Sequence, residues 1–139
     1  MTTADTLRFD LVDQILLIVH ADVPPSDTDW KRLIVVRDAN RQKIRGTLVV
    51  APPRASINAA QRADVVAFMR ESRTSIAVMT DSVLVRGVAG ALGLMGVKVQ
   101  AFSLADVGRA LDSLGVARSK HPDMSRRIEA LKAQLSRTA

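Results

Sequence analysis

The side chains able to do chemistry are few, and their spacing excludes more than it offers. The chain holds two histidines, His20 and His121, and no cysteine. Neither histidine has a partner at ligand spacing, so no metal site is expected. The lack of thiols excludes disulfides, thiolate metal sites and cysteine nucleophiles. His20 ends a predicted strand beside Asp22 and reads as a strand-end residue with its polar atoms satisfied. A phosphate-cradling loop needs glycines and a lysine between a strand and a helix. Gly87, Gly90, Gly93 and Gly96 recur at every third position, but three of them fall inside a predicted helix. No Gly-x-Ser-x-Gly elbow occurs. The strand Thr47 to Ala51 runs into Pro52, where a phospho-accepting aspartate would have to stand. Neither a catalytic constellation nor a cofactor site is expected.

What remains points to binding. On a helix from Val83 to Met95, the residues Ser82, Arg86, Ala89, Gly90 and Gly93 share one face, with Asp81 or Ser82 as the cap. Val85, Val88, Leu92 and Met95 form the bulkier neighbouring face. Small residues let another backbone approach closely, either a partner's or a neighbouring helix of the same chain. On the preceding helix, Arg62 shares a stripe with Val66, Met69 and Arg73, opposite Asp64 and Glu71. Arg62 is therefore expected on the inward side, its stem snorkelling to water or its guanidinium facing a ligand. Ser56 precedes that helix, whose N-terminus would favour a phosphate placed there.

Net charge is +6 but uneven. Lys31, Arg32, Arg37, Arg41, Lys43 and Arg45 stand against Asp38 alone, and Arg118, Lys120, Arg126, Arg127, Lys132 and Arg137 against Asp123 and Glu129. An acidic protein, a membrane surface or a nucleic acid is a conceivable partner for such stretches, and two solvated helix faces explain them equally. With 3% aromatic residues the chain is too poor in stacking groups for more than electrostatic nucleic-acid binding. A cytoplasmic location is expected, because Met1 to Arg8 lacks a signal-peptide pattern and no apolar run reaches membrane-spanning length.

These residues need a scaffold, and 139 residues at 47% hydrophobic suffice for one core of aliphatic side chains. Leu7 to Val19 reads as a hairpin turning at Asp13-Gln14. Ser26 caps a helix expected from Asp27 to about Ile44, and Thr47 to Ala51 is the next strand. Asn58 and Gln61 form a capping box for a helix ending near Ser72. The strand Ser75 to Thr80, the Val83 helix, the strand Val97 to Phe102 and a helix capped by Ser103 and Asp106 follow. After Pro122, the residues Met124, Ile128, Leu131 and Leu135 mark a one-sided apolar stripe. That stripe suits folding back on the domain or binding another chain. The expectation is an α/β domain over residues 7–115 with a mixed sheet, then a linker and an amphipathic helix over 116–139.

This strand and helix order, with Ser56 just ahead of the second helix, resembles the STAS family, whose best-known members are anti-sigma factor antagonists. The resemblance is topological and spans about Leu7 to Gly115. It implies a regulatory phosphoserine at the position of Ser56, although Ala55-Ser56-Ile57 replaces the family's Asp-Ser-Ser/Thr-Gly. It also implies a non-enzymatic module that docks on a protein partner or on a second copy. The proposed contacts are Arg62, Asp81, Ser82, Arg86, Gly90 and Gly93. The alternative is a small-ligand or lipid-binding domain, with a cleft near the strand ends and an apolar pocket near Arg62.

Overall fold

The computed structural model describes residues 5–138, with side chains to residue 136. Its elements are β1 (Leu7–Val12), β2 (Ile15–His20), α1 (Asp27–Ala39), β3 (Gly46–Val50), α2 (Ala59–Ser72), β4 (Ser75–Met79), α3 (Val83–Leu94), β5 (Lys98–Phe102), α4 (Val107–Ser113) and α5 (His121–Thr138). The five strands form one mixed sheet in the order β1-β2-β3-β4-β5. β1 pairs antiparallel to β2, and every later pair is parallel. The hairpin turns at Asp13-Gln14, both with positive φ (47° and 70°), the geometry a two-residue turn needs to match strand twist.

The strand order never reverses, so each crossover steps the same way. Right-handed crossovers applied in one direction deliver their helices to one face. That face carries Leu16 and Ile18 of β2, Val49 of β3, and Ile76 and Val78 of β4, packed with Trp30 and Leu33 of α1, Phe68 and Met69 of α2, and Val85 and Leu92 of α3. The alternate residues, Leu17, Val19, Leu48, Val50, Ala77 and Met79, meet Ala110 and Leu111 of α4 and the α5 stripe on the opposite face. This is the period-two alternation of a sheet buried on both sides. Met124, Ile128, Leu131 and Leu135 are all buried there, so α5 folds back on its own domain.

Boundaries differ from expectation where side chains compete for the backbone. The first helix ends at Ala39, not near Ile44, because both the backbone N–H and the side-chain amide of Asn40 donate to the Val36 carbonyl. A short 3-10 turn, Arg41–Lys43, fills the rest. The β-branched run Ile34-Val35-Val36 does not break α1, because Trp30, Leu33 and Arg37 anchor its inner side. The expected Ser103–Asp106 cap is absent: Asp106 makes no side-chain cap, and the Ser103 hydroxyl donates to Asp81.

Candidate functional site

Two features meet at α3: an apolar outer face and a cavity behind its inner face. The outer face is built from residue types alone. In its 12 residues only Arg86 is charged, so no polar side marks which way the helix must turn. Val85, Ala89 and Leu92 point inward. Val83, Leu84 and Leu94 are exposed at 86%, 65% and 92%, and the C-cap Met95 at 49%. Between these large side chains lie exposed Gly87, Gly90 and Ala91. A Cβ added at Gly87 or Gly90 would meet nothing within 4 Å. The glycines therefore do not pack against a neighbouring helix of the chain, and Met95 belongs to the outer side rather than the inner one.

The polar residues expected at this surface are spent locally. The Ser82 hydroxyl caps α3 by accepting from Val85 N–H at 3.2 Å. Asp81 accepts from the Ser103 hydroxyl and from Leu104 N–H, tying the two loops beyond β4 and β5. Exposed Arg86 donates to the Thr80 carbonyl at 3.2 Å. Arg62 is half-buried and donates to the Ile57 carbonyl at 2.9 Å, clamping the loop before α2 rather than facing a ligand. The inward residues of α2 are Gln61, Val66, Phe68 and Met69, and Arg73 leaves the stripe as a left-handed C-cap. Gly90 is open on the outer face, and the nearest atom to a Cβ at Gly93 would be Val99 Cγ1 at 3.8 Å.

The cavity, of about 110 Å³, lies between the sheet and α1, α2 and α3. Its walls include His20, Trp30, Val49, Phe68, Val88 and Ser56. Val49 lies in the central strand under three helices, yet it is only half-buried, as are Val65 of α2 and Val88 of α3. The helical layer thus stands off the sheet there. Ser56 and Ile57 belong to the lining too, which places the apolar pocket beside the Arg62 clamp. The α2 N-terminus is already closed by its capping box, Asn58 and Gln61 each accepting the other's N–H.

Two buried polar atoms on residues of this lining have no protein partner: Nδ1 of His20 and Nε1 of Trp30. Their residues are 6% and 8% exposed. His20 is thus not the satisfied strand-end residue expected, and Asp22 is engaged elsewhere, accepting from Arg54 N–H. Burial lowers the His20 pKa from 6.5 to about 4. The unfolded chain then binds the extra proton between those two values, so stability falls as pH drops from 6.5 towards 4. The loss is about 3 kcal/mol at most, at 1.36 kcal/mol per pKa unit. Denaturant titrations across this range are expected to show the slope in the wild type and a flat line in His20→Leu. Asp29 acts in a lower window. Its burial, which would raise the pKa, is outweighed by the Thr6 hydrogen bonds and Arg32, bringing it to about 2.

The basic stretches are partly neutralised from within. Arg32 pairs with Asp29 and Asp5, Arg37 with Asp64 and Asp38, and Arg41 with Glu71. In the second stretch Lys120 meets Asp13, Arg126 meets Asp123, Arg127 meets Asp10 and Lys132 meets Glu129. Among the described residues no helix is long and apolar enough to cross a membrane. No protein-family model matches the chain, and no curated protein matches it in sequence.

Proposed function

We propose that this is a non-enzymatic, STAS-like regulatory module that works by self-association through the outer face of α3. One observation carries the reading: a helix whose only charged residue is Arg86 leaves Val83, Leu84 and Leu94 in solvent. The pattern along that face is large-small-large. Val83 and Leu84 stand at one end, Gly87, Gly90 and Ala91 in the middle, and Leu94 and Met95 at the other. A two-fold axis near Gly90 would set Val83 and Leu84 of each copy against Leu94 and Met95 of the other, with the small residues at the crossing. That is the self-complementarity an isologous contact requires. Small central residues and the absence of Trp or Phe suit a helix partner better than a bilayer. The hairpin followed by parallel strands in unbroken order, with Ser56 ahead of α2, supports the STAS likeness.

The test is the solution mass of wild type and Leu94→Glu across micromolar concentrations. Leu94 is solvent-exposed in the single chain, so its replacement leaves monomer stability within about 0.5 kcal/mol. In the dimer it buries two carboxylates, and the dissociation constant is expected to rise about a hundredfold or more. A wild type that is monomeric throughout, or a monomer that pellets with anionic vesicles, overturns the reading.

A further inference from the structure

We infer that the end of the domain where the parallel strands begin is a basic surface that binds the phosphate backbone of a nucleic-acid duplex. Topology builds this surface. Ile15, Gly46, Ser75 and Lys98 are in register across β2, β3, β4 and β5, so the parallel strands all start on one line. Along it stand exposed Lys43 and Arg45 ahead of β3, Arg70 and Arg73 at the end of α2, and Lys98 at the start of β5. Arg70 donates to the carbonyl of Met95, the C-cap of α3, at 3.2 Å, which ties the ends of those two helices together. Exposed Arg118 comes to the same end, because nearby Lys120 meets Asp13 of the β1-β2 turn at 3.8 Å. Arg70, Arg73 and Lys98 lie outside both basic stretches of the sequence, so only the fold brings these cations together.

The charge here is uncompensated. Among the described residues none of these side chains lies within ion-pair distance of a carboxylate. The acids of this end face other partners: Asp13 meets Lys120, Glu71 meets Arg41, Asp38 meets Arg37 and Arg41, and Asp112 meets His121. Helix C-termini attract cations. That accounts for Arg70 and Arg73 but not for Arg45, Lys98 or Arg118, which lie outside the last turns of α1 to α4. The opposite end shows no such surplus: the loops leaving the parallel strands hold Asp22, Asp81 and Asp106 against Arg54.

The density of charge points to the partner. Strands lie about 4.8 Å apart, so the line from β2 to β5 spans about 14 Å. Over that length a duplex presents about 8 phosphates. An extended acidic peptide turns only about 2 carboxylates to one side over the same length. Arginine outnumbers lysine in the row, and its fork suits phosphate oxygens. The aromatic side chains, Phe9, Trp30, Phe68 and Phe102, are buried or half-buried, so a single strand finds no stacking platform. Surface-bound bilayer proteins bury apolar side chains beside their cations. Here exposed Leu94 and Met95 belong to the α3 face proposed for self-association. No groove-reading helix or ribbon projects from this end, so the contact is with the backbone and not the bases.

The probe is a fluorescent duplex of random sequence, about 20 base pairs long, titrated with the full chain between about 50 and 200 mM salt. The logarithm of the binding constant is expected to fall with the logarithm of salt at a slope of about −3 to −5. Arg45→Gln, Lys98→Gln and Arg118→Gln together are expected to flatten that slope by about 2.7, since each lost phosphate contact removes about 0.9. All three side chains are exposed, so the melting temperature should hold. Arg126→Gln with Lys132→Gln, which removes paired cations of α5, is expected to change the slope by less than about 1. No binding at the lowest salt, an unchanged slope in the triple variant, or an equal loss in the α5 variant overturns the assignment. So does tighter binding to anionic vesicles or to poly-glutamate than to the duplex. The substituted cations lie outside the α3 contact, so failure here leaves the solution mass, and the reading of the α3 outer face, untouched.

Discussion

A chain ending at Gly115 is expected to lose its fold. The sequence pattern on α5 is an ordinary amphipathic stripe, but the sheet face it covers has no other cover of comparable extent. Met124 is 0% exposed, with Ile128, Leu131 and Leu135 at 3%, 4% and 7%. Each buried aliphatic side chain of this size contributes about 2 kcal/mol, or about 8 kcal/mol for the four. Removing them also uncovers Ile15, Leu17 and Val19 of β2, which pack in the same cluster. The loss matches the whole stability of a typical domain, about 5–15 kcal/mol. The shortened chain should show no cooperative thermal transition and should bind hydrophobic dyes. A sharp melt within a few degrees of the full chain would mean that α5 is an accessory, free to serve another protein.

The second large effect is expected at Arg37. Its side chain is 8% exposed and lies over the Phe68 ring, 4.3 Å from the centroid. Two parallel hydrogen bonds reach Asp64, at 2.7 and 3.0 Å, and a third reaches Asp38 at 3.1 Å. Burial alone would lower the arginine's pKa, but Asp64 and then Asp38 hold it above the usual range. The pair bolts α1 to α2 beside the cavity, where the helices stand off the sheet. Arg37→Met strands Asp64 with no cation and is expected to cost about 3–5 kcal/mol in denaturant titration. Arg37→Lys should recover little, because an ammonium cannot make the forked contact. Arg37→Met with Asp64→Leu should recover most of the loss, since the larger penalty lies in the orphaned charge. A loss below about 1 kcal/mol for Arg37→Met would show the pair to be solvated.

The mixed sheet and its helices were legible because their signals are local. The Asp13-Gln14 turn, the Ser26 and Ser82 caps and the Asn58–Gln61 capping box all stand where the residues predict them. The α5 stripe was legible because it is one-sided. The facing of α3 was not. With Arg86 as its only charge, the helix has no polar side to fix its rotation, and the buried stripe Val85-Ala89-Leu92 lies about a quarter turn from the face proposed at Gly90 and Gly93. Arg62 stands half-buried on the side its spacing predicts, and what spacing could not show is that its guanidinium donates to the Ile57 carbonyl. An apolar pocket near Arg62 was expected only as the alternative, and no local signal located its walls. It depends on how closely three helices approach a sheet.

The central claim, that α3 meets α3 of a second copy near Gly90, can be tested with one introduced cysteine, because the native chain has none. A side chain at Gly90 meets no neighbour within 4 Å, so Gly90→Cys is sterically free in the monomer. Two glycine-lined helices crossing there bring the Cα atoms towards the roughly 4.4–6.8 Å that a disulfide spans. Mild oxidation at micromolar concentration should convert Gly90→Cys almost entirely to a covalent dimer on a non-reducing gel. Val35→Cys, exposed on α1, should stay monomeric. Equal, slow cross-linking of both variants would contradict the account.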